Sequence, residues 1–270
     1  MDGEYVLGSP HPALARRVVR YLGYREHSGT PVRRRQAPGA SCTLILSLGP
    51  PLRLHGPAGP SVPASFLAGM HDGPVLTEFT GEQHGLQVDL SPLGAFALLG
   101  RPLSDVTNAA PQLTDLDLPE LAGLPARLAD QPDWPRRFAL LDDVLLRRLD
   151  ACAARPDPEV AWAWERLRRS AGRVGVRELA EDTGWSRRHL LTRFRAQVGL
   201  GPKTAARVLR FERAARLLVP NSVYDHSPAA AAPSISDVAA ACGYADHAHL
   251  VREFHALAGC TPSEYLAGWS

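Results

Sequence analysis

Residues 176–202 read VRELAEDTGWSRRHLLTRFRAQVGLGP, and residues 235–262 read ISDVAAACGYADHAHLVREFHALAGCTP. Each stretch holds a short segment with apolar residues at helical spacing, a glycine, an aromatic, and a longer segment closed by Gly-x-x-Pro. The duplication predicts two helix-turn-helix units in tandem.

In the first copy Val176, Leu179 and Ala180 make one apolar helix face, and Gly184 follows where a tight turn needs positive φ. Trp185 packs the turn and Ser186 caps the next helix. That helix buries Leu190, Phe194 and Val198, which leaves Arg187, Arg188, Leu191, Thr192 and Arg195 facing outward. Gly199 and Pro202 end it. In the second copy the matching residues are Ile235 and Val238, then Gly243 and Tyr244, then Leu250, Phe254 and Leu257. His247, Ala248, Val251, Arg252 and His255 face outward, and Gly259 with Pro262 closes the unit. Glycine to phenylalanine spans ten positions in the first copy and eleven in the second, which predicts a one-residue offset at the start of the second long helix.

The second copy, with Gly243-Tyr244, then Leu250-x-Arg252-x-Phe254, then Gly259-x-Thr261-Pro262-Ser263-x-Tyr265, resembles the DNA-binding domain of the AraC/XylS family of bacterial transcription regulators. The resemblance covers the last third of the chain. It implies a sequence-specific regulator that binds double-stranded DNA, an activator that recruits RNA polymerase, with repression as the alternative. It also implies that the helix expected over Lys203–Val219 joins the two units. Recognition helices held that way sit about one DNA turn, ~34 Å, apart, so one monomer reads a bipartite site.

The outward faces supply the candidate DNA-binding residues. Arg188 and Arg252 are the candidate base readers, since a guanidinium pairs bidentately with guanine O6 and N7. Leu191, Thr192, Ala248 and Val251 are placed for thymine methyl groups, and His247 for a base or a phosphate. Arg187 and Arg195, at the edge of their face, are assigned to phosphate. For each of these residues apart from Arg188 and Arg252, a solvated side chain is the alternative. Arg207, Arg210, Arg213 and Arg216 on the linker helix read as solvated face or intramolecular pairs, with some phosphate contact.

Charge divides the chain the same way. From Val160 to Ser270 there are 15 Lys and Arg against 10 Asp and Glu, a net of +5, whereas the preceding residues carry −3. A Pro- and Ala-rich run over 219–234 departs from the family pattern and reads as a surface insertion that loosens the coupling between the units.

The first half gives strand-like runs at Cys42–Leu48, Ser65–Ala68, Val75–Phe79 and Leu86–Leu90, then helical patterns at Pro92–Leu99, Leu121–Leu128 and Trp134–Leu149. The expected fold class is α+β. Residues 1–158 form an effector-binding or oligomerisation domain, which the resemblance makes a small cupin-like β-barrel with helices; residues 159–270 form an all-α domain of two helix-turn-helix units. The expected partners of the first domain are a small-molecule effector and a second copy of the chain. The apolar stripe Phe138, Leu141, Leu145 and Leu149 packs on its own barrel or forms a dimer seam, Arg33–Arg35 form a solvated loop or an anion site, and Trp162 and Trp164 pack the first DNA-binding unit.

A cupin-type enzyme fused to a DNA-binding module is the rival from another class. It needs converging metal ligands, and His55, His71, Glu78, His84 and Asp89 show no close ligand spacing. A DNA-repair methyltransferase needs clustered cysteines, whereas Cys42, Cys152, Cys242 and Cys260 are scattered. No catalytic residue, metal or cofactor is therefore expected. With no run of about 20 apolar residues and no signal-type start, a cytoplasmic protein without a membrane partner is expected.

Overall fold

Two long antiparallel strands, β2 (Val18–Gln36) and β7 (Val75–Leu90), form the spine of the first half, paired from Val18 with Leu90 to Gln36 with Val75. The structure, a computed structural model, describes residues 2–57, 59–219 and 233–268. Charged side chains brace the spine. Arg20 meets Asp89 and Arg33 meets Glu78, each directly opposite and at 2.5 Å, and Arg25 reaches Glu82 at 3.0 Å. A bulge between Ser28 and Val32 accommodates Pro31, which has no amide to give to a ladder, and folds Arg34 back onto Glu26.

The other strands extend this spine into one antiparallel sheet. β1 (Asp2–Gly8) lies outside β2, β3 (Cys42–Ser47) pairs the second half of β7, and β6 (Phe66–Ala68) pairs β3. β4 (Arg53–Gly56) pairs the first part of β7 and β5 (Gly59–Ser61). The runs expected at Val75–Phe79 and Leu86–Leu90 are thus ends of a single strand, passing through Gly81 at φ +80°. The basic run Arg33–Arg35, expected in a loop, lies in β2 with Arg33 and Arg34 already engaged by carboxylates, because the sheet supplies Glu78 and Glu26 opposite them.

Helix α1 (Pro92–Leu99) starts where Ser91 accepts from the Gly94 amide at 3.0 Å and stops at Gly100 with φ +76°. The helix expected over Leu121–Leu128 is two short ones, α2 (Pro119–Ala122) and α3 (Leu124–Ala129), because Pro125 takes an early position of the second and Gly123 separates them. Helix α4 (Trp134–Ala151) buries Phe138, Leu141, Val144, Leu145 and Leu149. Phe138 stacks on Tyr21 of β2 at 5.7 Å, and the Tyr21 hydroxyl donates to Asp142 at 2.8 Å. The apolar stripe is therefore consumed inside the chain, its burial yielding about 1.5 to 3 kcal/mol per large side chain.

The second half is helical: α5 (Pro158–Arg169), α6 (Val176–Thr183), α7 (Arg187–Val198), α8 (Pro202–Leu218), α9 (Ile235–Cys242), α10 (His247–Ala258) and α11 (Pro262–Ala267). α5 leads the first unit as α8 leads the second. Trp164 of α5 packs on Phe194 of α7 at 6.4 Å, and Phe211 of α8 packs on Phe254 of α10 at 4.8 Å, with Tyr265 of α11 edge-on to both. Trp162, expected in the same packing, is instead 42% exposed, because helical spacing turns it away when Trp164 faces inward. The proposed insertion at 219–234 falls largely outside the described residues. All four cysteines are buried and free.

One continuous apolar core runs from Leu14 through the sheet and helices to Cys260. α8 lies against the first half as well. Glu212 sits beside Gly39 and takes a hydrogen bond from the Ala40 backbone, its Oε2 covered and 3.4 Å from Arg216. Burial raises the Glu212 pKa above the ordinary carboxylate range despite Arg216, the Ala40 amide and Arg168 nearby.

Candidate nucleic-acid interface

The two long helices of the repeat match end to end. α7 runs from N-cap Ser186 to Gly199, and α10 from N-cap Asp246 to Gly259, each with 12 residues. Ser186 accepts from the His189 amide at 3.2 Å and Asp246 from the His249 amide at 2.6 Å, so both helices start on the same device. Gly184 and Gly243 close α6 and α9 in the left-handed region, φ +70° and +74°. One residue separates Gly184 from Ser186 and two separate Gly243 from Asp246. The extra residue lies in the turn, ahead of the second long helix.

Each turn is locked by an aromatic that the following helix covers with a histidine. His189 stands edge-on to Trp185 at 4.4 Å, and His249 edge-on to Tyr244 at 5.2 Å. Sequence reasoning passed over both histidines, yet they occupy the same third position after the cap in each copy, and that coincidence was the available signal. The Arg210 guanidinium covers the Tyr244 ring at 5.8 Å.

Arg187, Arg188, Leu191, Thr192 and Arg195 are all exposed on one side of α7, with Phe194 fully buried on the other. On α10, His247, Ala248, Arg252 and His255 are exposed, while Val251 is half-buried. Leu191 is 43% exposed, a large apolar side chain left in water. The Thr192 hydroxyl donates to the Arg188 carbonyl at 3.0 Å, so its proton is spent on its own helix while its oxygen can still accept. Second-unit residues line up one for one with the first, which sets Arg188 against Ala248 and Thr192 against Arg252. None of the three outward arginines of α7, Arg187, Arg188 and Arg195, therefore stands at the height of Arg252 on α10.

The remaining arginines of this half separate into engaged and free sets. Arg193 makes a bidentate pair with Asp157, Nε and Nη2 at 2.7 and 2.8 Å, and holds that carboxyl below its ordinary range. Arg207 of α8 makes the matching pair with Glu253 of α10, at 2.9 to 3.3 Å. Arg166 pairs with Glu178, Arg177 with Glu181, and Arg168 and Arg169 share Glu165. Arg210 donates to the Gly172 carbonyl at 3.2 Å. Among the described residues Arg187, Arg188, Arg195 and Arg252, all on the outward faces, make no ion pair; Arg173 and Arg213, away from those faces, make none either. A groove-facing surface with uncommitted guanidiniums is what phosphate and guanine recognition requires.

The candidate metal ligands of the first half are not brought together. Asp89 is held by Arg20 and Gln87, Glu78 by Arg33, and His84 stands edge-on to Trp134 at 5.8 Å. His71 bonds the Gly69 carbonyl through Nδ1 at 2.7 Å, and burial lowers its pKa. Among the described residues no three His, Cys, Asp or Glu side chains converge as a metal site, and no helix is long and apolar enough to cross a membrane.

Comparison with known proteins agrees with this division. Residues 179–268 match the family described as Helix-turn-helix domain, and residues 8–112 match one described as Domain of unknown function (DUF6597). No curated protein matches the chain. Among solved structures, ToxT from Vibrio cholerae is similar over 93% of this chain and 97% of its own, at 11% identity and a TM-score of 0.51. A second ToxT structure, bound to (E)-4-(8-methylnaphthalen-1-yl)but-3-enoic acid, covers 100% of both chains at 9% identity and a TM-score of 0.51. At these identities the likeness to ToxT is one of fold: an antiparallel sheet domain followed by a helical domain. The C-terminal domain of AraT from Geobacillus stearothermophilus is 21% identical over 43% of this chain and 88% of its own, with a TM-score of 0.35. Residues 179–268 thus form a helix-turn-helix domain of the matched family, and it follows a sheet domain in a two-domain fold like that of ToxT.

Proposed function

We propose that the protein is a sequence-specific activator whose α7 and α10 read the two parts of a bipartite site in adjacent major-groove segments. The observation that carries this reading is the alignment of two twelve-residue helices, each with an outward face whose arginines, Arg187, Arg188 and Arg195 on one and Arg252 on the other, have no carboxylate partner among the described residues. In this reading Arg188 and Arg252 contact bases, Leu191, Thr192, Ala248 and Val251 contact thymine methyl groups, His247 contacts a base or phosphate, and Arg187 and Arg195 hold phosphate. The first domain, taken as 1–158, receives a small-molecule effector; the acid held by ToxT, a protein of like fold, supports a search among carboxylic acids. RNA polymerase is the downstream partner.

The test is selection of bound fragments from genomic DNA by the full chain, footprinting of the best fragment, and a reporter fused to its promoter. Protection in two parts about one helical turn, ~34 Å, apart, with higher reporter output when the protein is present, is the expected result. Equal retention of all fragments would overturn sequence-specific reading, and a fall in reporter output would make the protein a repressor.

A further inference from the structure

Both recognition helices end where the first domain touches them. At Gly199, the end of α7, a Cβ would lie 3.1 Å from the Thr107 Oγ1, 3.4 Å from the Met70 Cβ and 3.6 Å from the Leu103 Cγ. At Gly259, the end of α10, it would lie 3.4 Å from the Pro74 Cγ and 3.9 Å from the Arg35 Nε. These two glycines are equivalent in the repeat, and both have positive φ, +92° and +67°. Met70 and Pro74 belong to one short loop, 69–74, between β6 and β7. Glu253 chiefly, with a smaller attraction from Asp72 midway along the loop, raises the pKa of Arg207 on α8.

The loop is braced. Asn108 accepts from the Asp72 amide at 3.0 Å and donates to its carboxylate at 2.9 Å, while its own amide donates to the Met70 carbonyl at 3.0 Å. The Gly69 amide donates to Ala109 at 3.1 Å, and the His71 ring bonds the Gly69 carbonyl. Segments 69–74 and 103–109 therefore behave as one stiff piece. From that piece the Thr107 hydroxyl donates to the Gly199 carbonyl at 2.9 Å. α7 and α10 are otherwise connected through α8 and through residues 219–234, so a stiff body bonded to the end of α7 and lying beside the end of α10 limits freedom that the chain alone leaves.

We propose that segments 69–74 and 103–109 form a clamp in which Thr107, Met70 and Pro74 are positioning residues that fix the distance and angle between α7 and α10, so that the first domain sets which spacing of the two DNA half-sites the protein accepts. This rests on the bipartite reading above. None of these residues lies on the outward faces of α7 and α10, so the clamp acts on DNA through the helices it holds.

Two measurements on the full chain test it separately from that reading. Spin labels at Leu191→Cys and Ala248→Cys report the distance between the outward faces without DNA. Asn108→Gly removes the side-chain brace while keeping a residue that accepts φ +57°, and Thr107→Val removes only the hydroxyl. The parent gives one narrow distance, and both variants broaden it with a cooperative thermal transition retained. Selection from a random-sequence duplex pool then gives a single half-site spacing for the parent and loses about tenfold of that discrimination in the variants. Unchanged distance widths in both variants would overturn the clamp, whatever the DNA result. A parent that selects one unbroken half-site overturns the bipartite reading, and the label distances still decide the clamp. If Asn108→Gly fails to fold, Thr107→Val alone carries the test.

Discussion

Arg193 on α7 grips Asp157, the N-cap residue of α5, through two nitrogens, and the second unit repeats the tie with its polarity reversed: Glu253 on the recognition helix and Arg207 on the helix that leads it. In both units the residue just before the buried phenylalanine fixes the recognition helix to its leader. The repeat has kept the geometry of the tie and exchanged its charges.

The Asp157 carboxyl is held below its ordinary range by the Arg193 guanidinium, so its contribution is present above the unfolded carboxylate range and is lost as pH falls through the lowered value. Asp157→Asn should lower stability at neutral pH by under about 1 kcal/mol, since Arg193 is largely solvated. It should also flatten the loss of stability on acidification, read as thermal midpoints from pH 7 downward. An acid limb as steep as the parent's would show that the tie carries no stability.

Arg252→Ala should relax preference at one base pair, at about 1 to 3 kcal/mol of discrimination. Arg195→Ala should weaken specific and random duplexes alike and reduce the salt slope by about one. Titrations of both variants on the selected fragment and on random DNA at several salt concentrations separate the two roles. Equal losses on both duplexes for both variants would show the assignment to be wrong.

Gly184 and Gly199 both have positive φ but different surroundings. Nothing approaches the place of a Cβ at Gly184, so Gly184→Ala meets only left-handed strain, about 1 to 2 kcal/mol. Gly199→Ala meets a less accessible backbone, φ +92° with ψ −49°, and Thr107 at 3.1 Å as well, and should cost more. Chemical denaturation of the two variants gives the order, and equal costs would mean the first domain does not press on Gly199 in solution.

Glu212 carries a raised pKa because burial disfavours its charge, so the folded state binds its proton more tightly than the unfolded chain does. Stability falls as pH rises from the ordinary glutamate range through the raised value. Glu212→Gln removes that penalty and should raise the melting temperature at neutral pH while leaving it little changed in acid. A lower midpoint at neutral pH would mean that the ion contact with Arg216 outweighs burial.

Helices were the legible part of the fold. Pro92–Leu99 appears with the predicted bounds, since Ser91, Pro92 and Gly100 mark both ends in the sequence. The recognition helices were equally plain, with caps and apolar spacing agreeing. β2 was not, because RYLGYREHSGTPVRRRQ is rich in charge, Gly and Pro; its arginines belong in a strand only once β7 places Asp89, Glu82 and Glu78 across from them. The outward residues of the site could be listed from periodicity alone. That Gly199 and Gly259 also meet the first domain could not, because the sequence presents them only as helix terminators and the touching residues lie more than ninety positions away.

The unlike heights of Arg188 and Arg252 on two helices of equal length and like capping give the molecule a head and a tail. If the two faces read DNA as proposed above, their site has no dyad, its left half cannot stand in for its right, and reversing it on the chromosome is not a neutral change. The bound protein then points one way along the duplex. A single copy could tell upstream from downstream, which a symmetric pair of identical reading heads does not do.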